Sequence, residues 1–455
     1  MVWVTKVSDQ VTPDAVVVVP GIMGSELVDA ATGSVLWGLR RLRWYVRAWC
    51  SGDGLGLLRL TGDELDGHVG RVKARGLLKF PAFAPWLSGF EPYTALVTGL
   101  HKVVHDPRAV LEFGYDWRLA VPYNARLLAE AAVRHLEAWR RWSGRTDAKL
   151  VLVAHSMGGL LCQELTKISG AADDVRAVVT LGTPFDGAAK AAIILNSGRG
   201  APLPRGRLRE LAAGLPGVHD LLPRYRCVDE GNTVRRLTPA DVARFGGSAE
   251  LARAAFERVP VQLPGHRALI GVEQPTISSL KLVDGVVREQ FHTFQVNPDG
   301  ALRRAPDSSL SRVTGSGDGT VPRNSALPAF VSATPVAQQH GTLARTSEAI
   351  SFVRDILLNA ETDLGPRLGA GDIGLSVPDV VEPEEEWIAR IDGADPHEVR
   401  CVVTDADTGA VVDRPPAHRR DGMVVAAVTL PSPGIYRIEV AGGGSPVGQL
   451  VMARE

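Results

Sequence analysis

The sequence predicts an α/β fold built on a mostly parallel sheet, followed by a small all-β unit. Three observations carry this. Val16-Val17-Val18-Val19 is an uninterrupted β-branched run, the pattern of a strand buried on both faces, as parallel sheets require. Strand-like and helix-like segments then alternate as far as Asn359, which argues for a sheet covered by helices on both sides. Beyond that point short alternating segments separated by turn residues take over, the signature of a β-sandwich.

In chain order, strands are expected at Ala15–Val19, Val110–Phe113, Leu150–Val153, Val175–Leu181, Ala268–Val272 and Val336–Gln338. Helices are expected at Asn124–Ser143, Gly158–Ser169 and Thr346–Asn359. Two insertions interrupt the alternation. Residues 36–100 hold Trp37, Trp44, Trp49 and Trp86 among leucines and glycines, with Arg40, Arg41, Arg43 and Arg47 interleaved. Residues 186–260 run from an apolar start at Ala188–Leu195 to a charged helix near Ala240–Arg258. Either insertion is a lid over an apolar groove or an addition to the core. The Trp–Arg cluster meets anionic headgroups in peripheral membrane contact, or packs inside.

Residues 361–386, with their prolines, glycines and acidic run Glu382, Glu384, Glu385 and Glu386, read as a linker after a first domain of residues 1–360. In 387–455 strands are expected at Trp387–Ile391, Val399–Thr404, Val424–Leu430 and Ile435–Val440, giving an immunoglobulin-like sandwich. It either docks a protein partner or packs on the first domain.

Composition narrows the class. A chain of 455 residues with net charge −1 suits a large α/β domain plus an addition, and gives no argument for nucleic-acid binding. The four cysteines, Cys50, Cys162, Cys227 and Cys401, are too dispersed to close a local loop and form no zinc-type cluster. Met1–Lys6 lacks the pattern of a secretory signal, and no apolar run reaches the roughly 18–20 residues of a membrane span. The expectation is a cytoplasmic protein with reduced thiols that needs no metal or organic cofactor.

The chemistry concentrates at Val151-Leu152-Val153-Ala154-His155-Ser156-Met157-Gly158-Gly159. An apolar strand runs into a tight small-residue turn bearing one serine, and an apolar helix follows. This is the form of a nucleophile elbow, with Ala154 where the common pattern has glycine. An ordinary strand-to-helix turn with an incidental serine is the alternative. A serine nucleophile needs a base and an orienting acid, which follow it in the order acid, base in α/β-hydrolases. The chain offers Asp318 in Gly315-Ser316-Gly317-Asp318-Gly319-Thr320 and His340 in Gln338-Gln339-His340-Gly341. Singly, Asp318 reads equally as an Asx-turn and His340 as a loop residue; behind an elbow their order favours a triad. The turn Pro20-Gly21-Ile22 after the valine strand supplies an early amide, so the backbone N–H groups of Ile22 and Met157 are the candidate oxyanion donors.

These stretches, together with Val35-Leu36-Trp37-Gly38, Gly114-Tyr115-Asp116-Trp117-Arg118, Leu181-Gly182-Thr183-Pro184-Phe185 and Asp220-Leu221-Leu222-Pro223, make the chain resemble the lecithin:cholesterol acyltransferase and lysosomal phospholipase A family. The resemblance runs from about residue 14 to about residue 358. It implies an α/β-hydrolase with lid insertions that cleaves or transfers acyl groups of phospholipids or related lipid esters through an acyl-serine. Trp37, Phe185 and Ile193 are then the candidates for touching substrate, and Asp116 and Arg118 are expected to pair and brace the floor of the site. A soluble carboxylesterase with the same triad, or a non-catalytic binding module on the same fold, are the alternatives.

Overall fold

A computed structural model describes residues 11–38, 54–65, 67–79, 82–84, 88–90, 93–198, 205–297, 299–327, 331–359, 373–442 and 446–454. Its centre is a six-stranded sheet of β1 (Ala15–Val19), β2 (Val110–Glu112), β3 (Leu150–His155), β4 (Val175–Leu181), β5 (Arg267–Val272) and β6 (Ala333–Ala337). The order across it is β6-β5-β4-β3-β1-β2, and every pairing is parallel. Val17 stands between Leu111 and Leu152 in register. All five residues of β1 are buried, so the valine run behaves as a strand covered on both faces. Strand order reverses beside β1, and the carboxyl ends on that side of an open parallel sheet are where ligand sites form.

Two helices cover the middle of the sheet. α1 (Val121–Ser143) has Pro122 in its first turn and ends on Gly144 in the left-handed region, φ 71°, both placed where helix ends favour them. The N–H of Val121 donates to the Asp220 carboxylate at 2.6 Å. Its apolar stripe, including Leu128, Ala132, Leu136 and Trp139, is buried. α2 (Gly158–Leu165) follows the β3 turn and is buried along nearly its whole length.

The insertions build the ground around the sheet's carboxyl ends. The first adds Val72–Leu77 and most of Val35–Trp37 to Ser25–Asp29, which precedes it, making a three-stranded antiparallel sheet. It is tied down by Arg118, whose fully buried guanidinium bonds Asp116 Oδ2 at 2.7 Å and Glu64 Oε1 at 2.8 Å. The expected Asp116–Arg118 pair is therefore present, with Glu64 as a third member; such burial demands full pairing. Trp44, Trp49, Trp86 and the four interleaved arginines lie outside the described residues.

The second insertion begins with α3 (Ala189–Ser197), whose apolar residues lie against the interior. Asn196 pins its far end, accepting from Val287 N at 2.9 Å and donating to Gly285 O at 2.8 Å. Those partners belong to a hairpin, Ser279–Val283 with Val286–Gln290, in a stretch where the sequence reading placed no element. The charged helix expected at 240–258 is two helices, Pro239–Arg244 and Ala249–Phe256, separated by a turn. α4 (Ser347–Leu357) closes this part of the fold, with the Thr346 hydroxyl capping its N-terminus.

Residues 373–454 form two packed sheets with their own core of Leu375, Ile391, Val403, Val428, Ile438 and Val451. One sheet holds β7 (Gly374–Ser376), β9 (Glu386–Asp392), β13 (Met423–Thr429) and β12 (Ala417–Arg420); the other holds β8 (Val380–Val381), β15 (Val447–Ala453), β14 (Gly434–Ala441), β10 (Arg400–Asp405) and β11 (Val411–Asp413). All contacts are antiparallel except β8 with β15. The expected linker thus contributes strands: β7 and β8 fall inside it, because both pair with strands further along the chain. No helix among the described residues is long and apolar enough to cross a membrane.

Candidate active site

β3 delivers Ser156 to the carboxyl edge of the sheet. Its φ of 52° lies in the left-handed region, a conformation costing of order 1 kcal/mol or more for a residue with a side chain. Close packing sustains it. A Cβ on Gly158 would stand 2.6 Å from the carbonyl oxygens of both Val19 and Pro20, so only glycine lets α2 approach β1 this closely. A Cβ on Gly21 would stand 2.8 Å from that of Ser156. The elbow and the early turn are therefore fitted to each other.

Three residues separated by up to 184 positions converge here. Ser156 Oγ lies 2.8 Å from His340 Nε2, and His340 Nδ1 lies 2.7 Å from Asp318 Oδ2. All three are buried. Asp318 is itself oriented: its Oδ1 accepts from the backbone N–H groups of Thr320 at 3.0 Å and Val321 at 2.7 Å. Its carbonyl accepts from His340 N at 2.8 Å. In this array the carboxylate accepts a hydrogen bond from Nδ1–H, which fixes that tautomer and leaves the Nε2 lone pair facing the serine hydroxyl. Met157 follows the serine in the chain and Ile22 lines the same slot as Ser156; among the described residues neither backbone amide donates to a protein acceptor.

A second chain of bonds, missed in the sequence, runs behind this array. Gly21 N–H donates to the Tyr93 hydroxyl at 2.9 Å, and that hydroxyl donates to His155 Nδ1 at 2.8 Å. His155 Nε2 then donates to the His340 carbonyl at 3.2 Å. Burial, then the neighbouring His340, pushes the His155 pKa well below its ordinary value, so the ring is neutral and holds the one tautomer this order of bonds needs. Burial likewise pushes the Tyr93 phenol up. The chain joins the turn of Ile22 to the loop of His340. A polar residue inside an otherwise apolar buried strand was the available signal.

The His340 loop is also held from outside the sheet. Gln338 Nε2 donates to Pro446 O at 2.9 Å, while its Oε1 accepts from Thr342 Oγ1 at 2.8 Å and Gly448 N at 3.2 Å. Gln339 Nε2 donates to Leu375 O at 2.8 Å and to Gln274 Oε1 at 3.0 Å. Gln274, buried, also accepts from Leu375 N and donates to Ile373 O, both at 3.0 Å. The β-sandwich is thereby stitched to the loop that carries the histidine.

Beside Ser156 lies an apolar slot of about 30 Å³, lined by Ile22, Pro184, Ala188, Ala191, Ile194 and Leu221 among others. The three expected substrate residues fare differently. Ile193 borders a neighbouring, larger cleft. Trp37 is fully buried, donates its indole N–H to Met23 O at 2.7 Å and packs edge-on to Trp117; it supports the Ile22 turn from below. Phe185 packs edge-on to His266 at 5.4 Å and lines neither cavity. Both were expected at the substrate from the family resemblance, and both side chains serve packing here. No cluster of metal-ligating side chains occurs among the described residues. Cys162, Cys227 and Cys401 are free and buried.

A parallel sheet, an elbow serine at its carboxyl edge and a Ser–His–Asp array arriving in that fold's order define an α/β-hydrolase. Residues 83–240 match the lecithin:cholesterol acyltransferase family, and the chain is an α/β-hydrolase like the members of that family. Fold and family match together support an enzyme of the hydrolase or acyltransferase kind. The sequence matches none of the curated proteins. Among solved structures, the Tle4–Tli4 complex is similar at 16% identity, over 77% of this chain and 100% of that one, with TM-score 0.46. The mature lipase BlEst2 of Bacillus licheniformis is similar at 14% identity, over 76% and 91%, with TM-score 0.33. Phospholipase PlaB from Legionella pneumophila is similar at 9% identity, over 96% and 90%, with TM-score 0.28.

Proposed function

We propose that this protein is a serine-dependent acyl-ester hydrolase or acyltransferase acting on phospholipid or related lipid esters. Ser156 is the nucleophile, His340 the base and acid, Asp318 the orienting carboxylate, and the Ile22 and Met157 amides the oxyanion donors. The observation that carries this reading is the unbroken hydrogen-bond chain from Ser156 through His340 to Asp318. In the first half-reaction Ser156 Oγ bonds the acyl carbon as its proton passes to Nε2. The resulting imidazolium is stabilised by Asp318 and the oxyanion by the two amides. Collapse expels the alcohol, which takes the proton from Nε2, and water or a second alcohol releases the acyl group by the reverse path.

The apolar slot beside Ser156 supports a hydrocarbon acyl chain as the part retained on the serine. At about 30 Å³ it has room for little more than one water, so a long chain requires α3, which supplies Ala191 and Ile194 to the slot, to move. Purified protein incubated with mixed phospholipids, with products identified by mass, tests the substrate class. Ser156→Ala is expected to abolish both product formation and labelling by a fluorophosphonate while the thermal midpoint stays near that of the parent. Labelling at another serine, or activity near the parent level, refutes the assignment.

A further inference from the structure

Two cavities meet at the serine–histidine contact, and they differ in kind. The slot that includes Ser156 is lined almost entirely by apolar side chains. The second cavity is an open cleft of about 360 Å³ bordered by His340. Its walls carry Lys190, Glu289 and Thr320 from the hydrolase body and Asp379 and Gln449 from the β-sandwich. Lys190 and Thr320 border both cavities, so the two adjoin, with Ser156 on one and His340 on the other.

The sandwich wall is built into this place. Gln338, Gln339, Thr342 and Gln274 bond backbone groups of Ile373, Leu375, Pro446 and Gly448 at 2.8 to 3.2 Å. Those backbone groups flank the cleft-lining positions of the sandwich. Asp379 and Gln449 are joined to each other, Gln449 Nε2 donating to Asp379 Oδ1 at 3.1 Å. Asp379 stands just before β8 and Gln449 on β15, and these strands pair directly. The wall therefore keeps its register with His340.

A serine-ester reaction divides its substrate between two spaces. The acyl part stays bonded to Oγ. The alcohol part departs when the acyl carbon–oxygen bond breaks and its oxygen takes the proton from His340 Nε2. An apolar chain gains nothing beside two carboxylates, an ammonium and an amide, whereas a polar alcohol finds donors and acceptors there. We propose that the C-terminal β-sandwich forms the alcohol side of the active site. The leaving alcohol of the ester, a headgroup rich in hydrogen-bonding groups, sits in the cleft between Asp379 and Gln449 on one wall and Lys190 and Glu289 on the other. The acceptor of the second half-reaction enters by the same cleft. This rests on the triad reading above, and makes the sandwich a determinant of which alcohol is released.

The test compares the intact protein with Asp379→Ala and Gln449→Ala on three esters of one acyl chain: a nitrophenyl ester, a monoacylglycerol and a lysophospholipid. Expected is a fall of at least about fivefold, the effect of one lost hydrogen bond, in the ratio of kcat/KM for a polar-alcohol ester to that for the nitrophenyl ester, carried by KM. Val411→Ser, on the exposed strand β11, is the control and should keep the parent ratio. An unchanged ratio in both cleft variants overturns the proposal, as does a parent enzyme that cleaves the nitrophenyl ester and neither lipid. Failure of the triad reading looks different: Ser156→Ala would then retain activity on the nitrophenyl ester, whatever the cleft variants do.

Discussion

Asp318→Asn changes one atom and should cost about four orders of magnitude in kcat. Asparagine has a single side-chain oxygen, and two backbone donors compete for it: the N–H groups of Thr320 and Val321 already meet Oδ1 at 3.0 and 2.7 Å. The oxygen settles there, because the flipped amide would point its own N–H groups at two donors and leave all of them unsatisfied. The new NH2 group then faces His340 Nδ1 from the Oδ2 position, 2.7 Å away. It donates, so the ring must offer a lone pair at Nδ1 and carry its proton on Nε2. That proton points at Ser156 Oγ, 2.8 Å away, and the base has become a donor. A wrong-tautomer histidine in other triads lowers turnover about 10⁴-fold, about 5 kcal/mol of barrier. The assay is steady-state hydrolysis of a short-chain nitrophenyl ester, with the thermal midpoint measured alongside. A kcat within about tenfold of the parent, corresponding to about 1.4 kcal/mol, in a protein that melts normally would refute the orientation argument.

Gly158→Ala introduces a Cβ 2.6 Å from two main-chain oxygens of β1 and its turn, which cannot rotate aside; we expect loss of activity and a lower melting temperature, and a fully active, equally stable variant would contradict the packing account. Stability should fall as pH drops below about 6.5, because burial pushes His266 down to about 4. Across that window the unfolded chain binds a proton that the folded one refuses, a slope of about 1.4 kcal/mol per pH unit for one such group. Thermal unfolding between about pH 7.5 and 4.5 measures it, and His266→Gln, which keeps a partner for the Thr180 hydroxyl now 2.9 Å from Nε2, should flatten the curve. Because the slot beside Ser156 admits little while α3 is seated, activity on a medium-chain ester should rise sharply once substrate aggregates and an interface can shelter the exposed apolar face, at roughly 25 cal/mol per Å². Smooth saturation through that concentration, with best activity on acetyl or butyryl esters, would favour a soluble esterase.

The site was legible in the sequence where geometry is local. The elbow needs a strand, a serine and glycines within a few residues, and Val151–Gly159 spells this out. Asp318 and His340 announced themselves through their order and their glycine-rich loops. The strands Ala15–Val19 and Val175–Leu181 run as expected, because burial on both faces leaves an unbroken apolar run. What escaped notice depends on distant partners. Gln338 and Gln274 look like ordinary polar residues until the backbone of the sandwich arrives 108 and 99 positions later to bond them. The hairpin at 279–290 carries Lys281, Asp284, Arg288 and Glu289, which obscure the alternation of a strand. Trp37 and Phe185 were expected at the substrate from the resemblance of their stretches, and a matching stretch does not say whether a side chain faces the groove or the core, where both are buried.

The stitching of the His340 loop by Gln338 also sets a timetable. Chains are made from the amino terminus, at roughly 5–20 residues per second. Ser156 and its elbow emerge early; His340 follows 184 residues later, and the strand-edge groups that fasten its loop come 108 and 110 residues after Gln338. For tens of seconds, on the proposed reading, each nascent chain carries a shaped nucleophile with no base to activate it. On that reading the late-made strands complete the array, so a chain that stops before Pro446 keeps the elbow and lacks the groups that fasten the His340 loop.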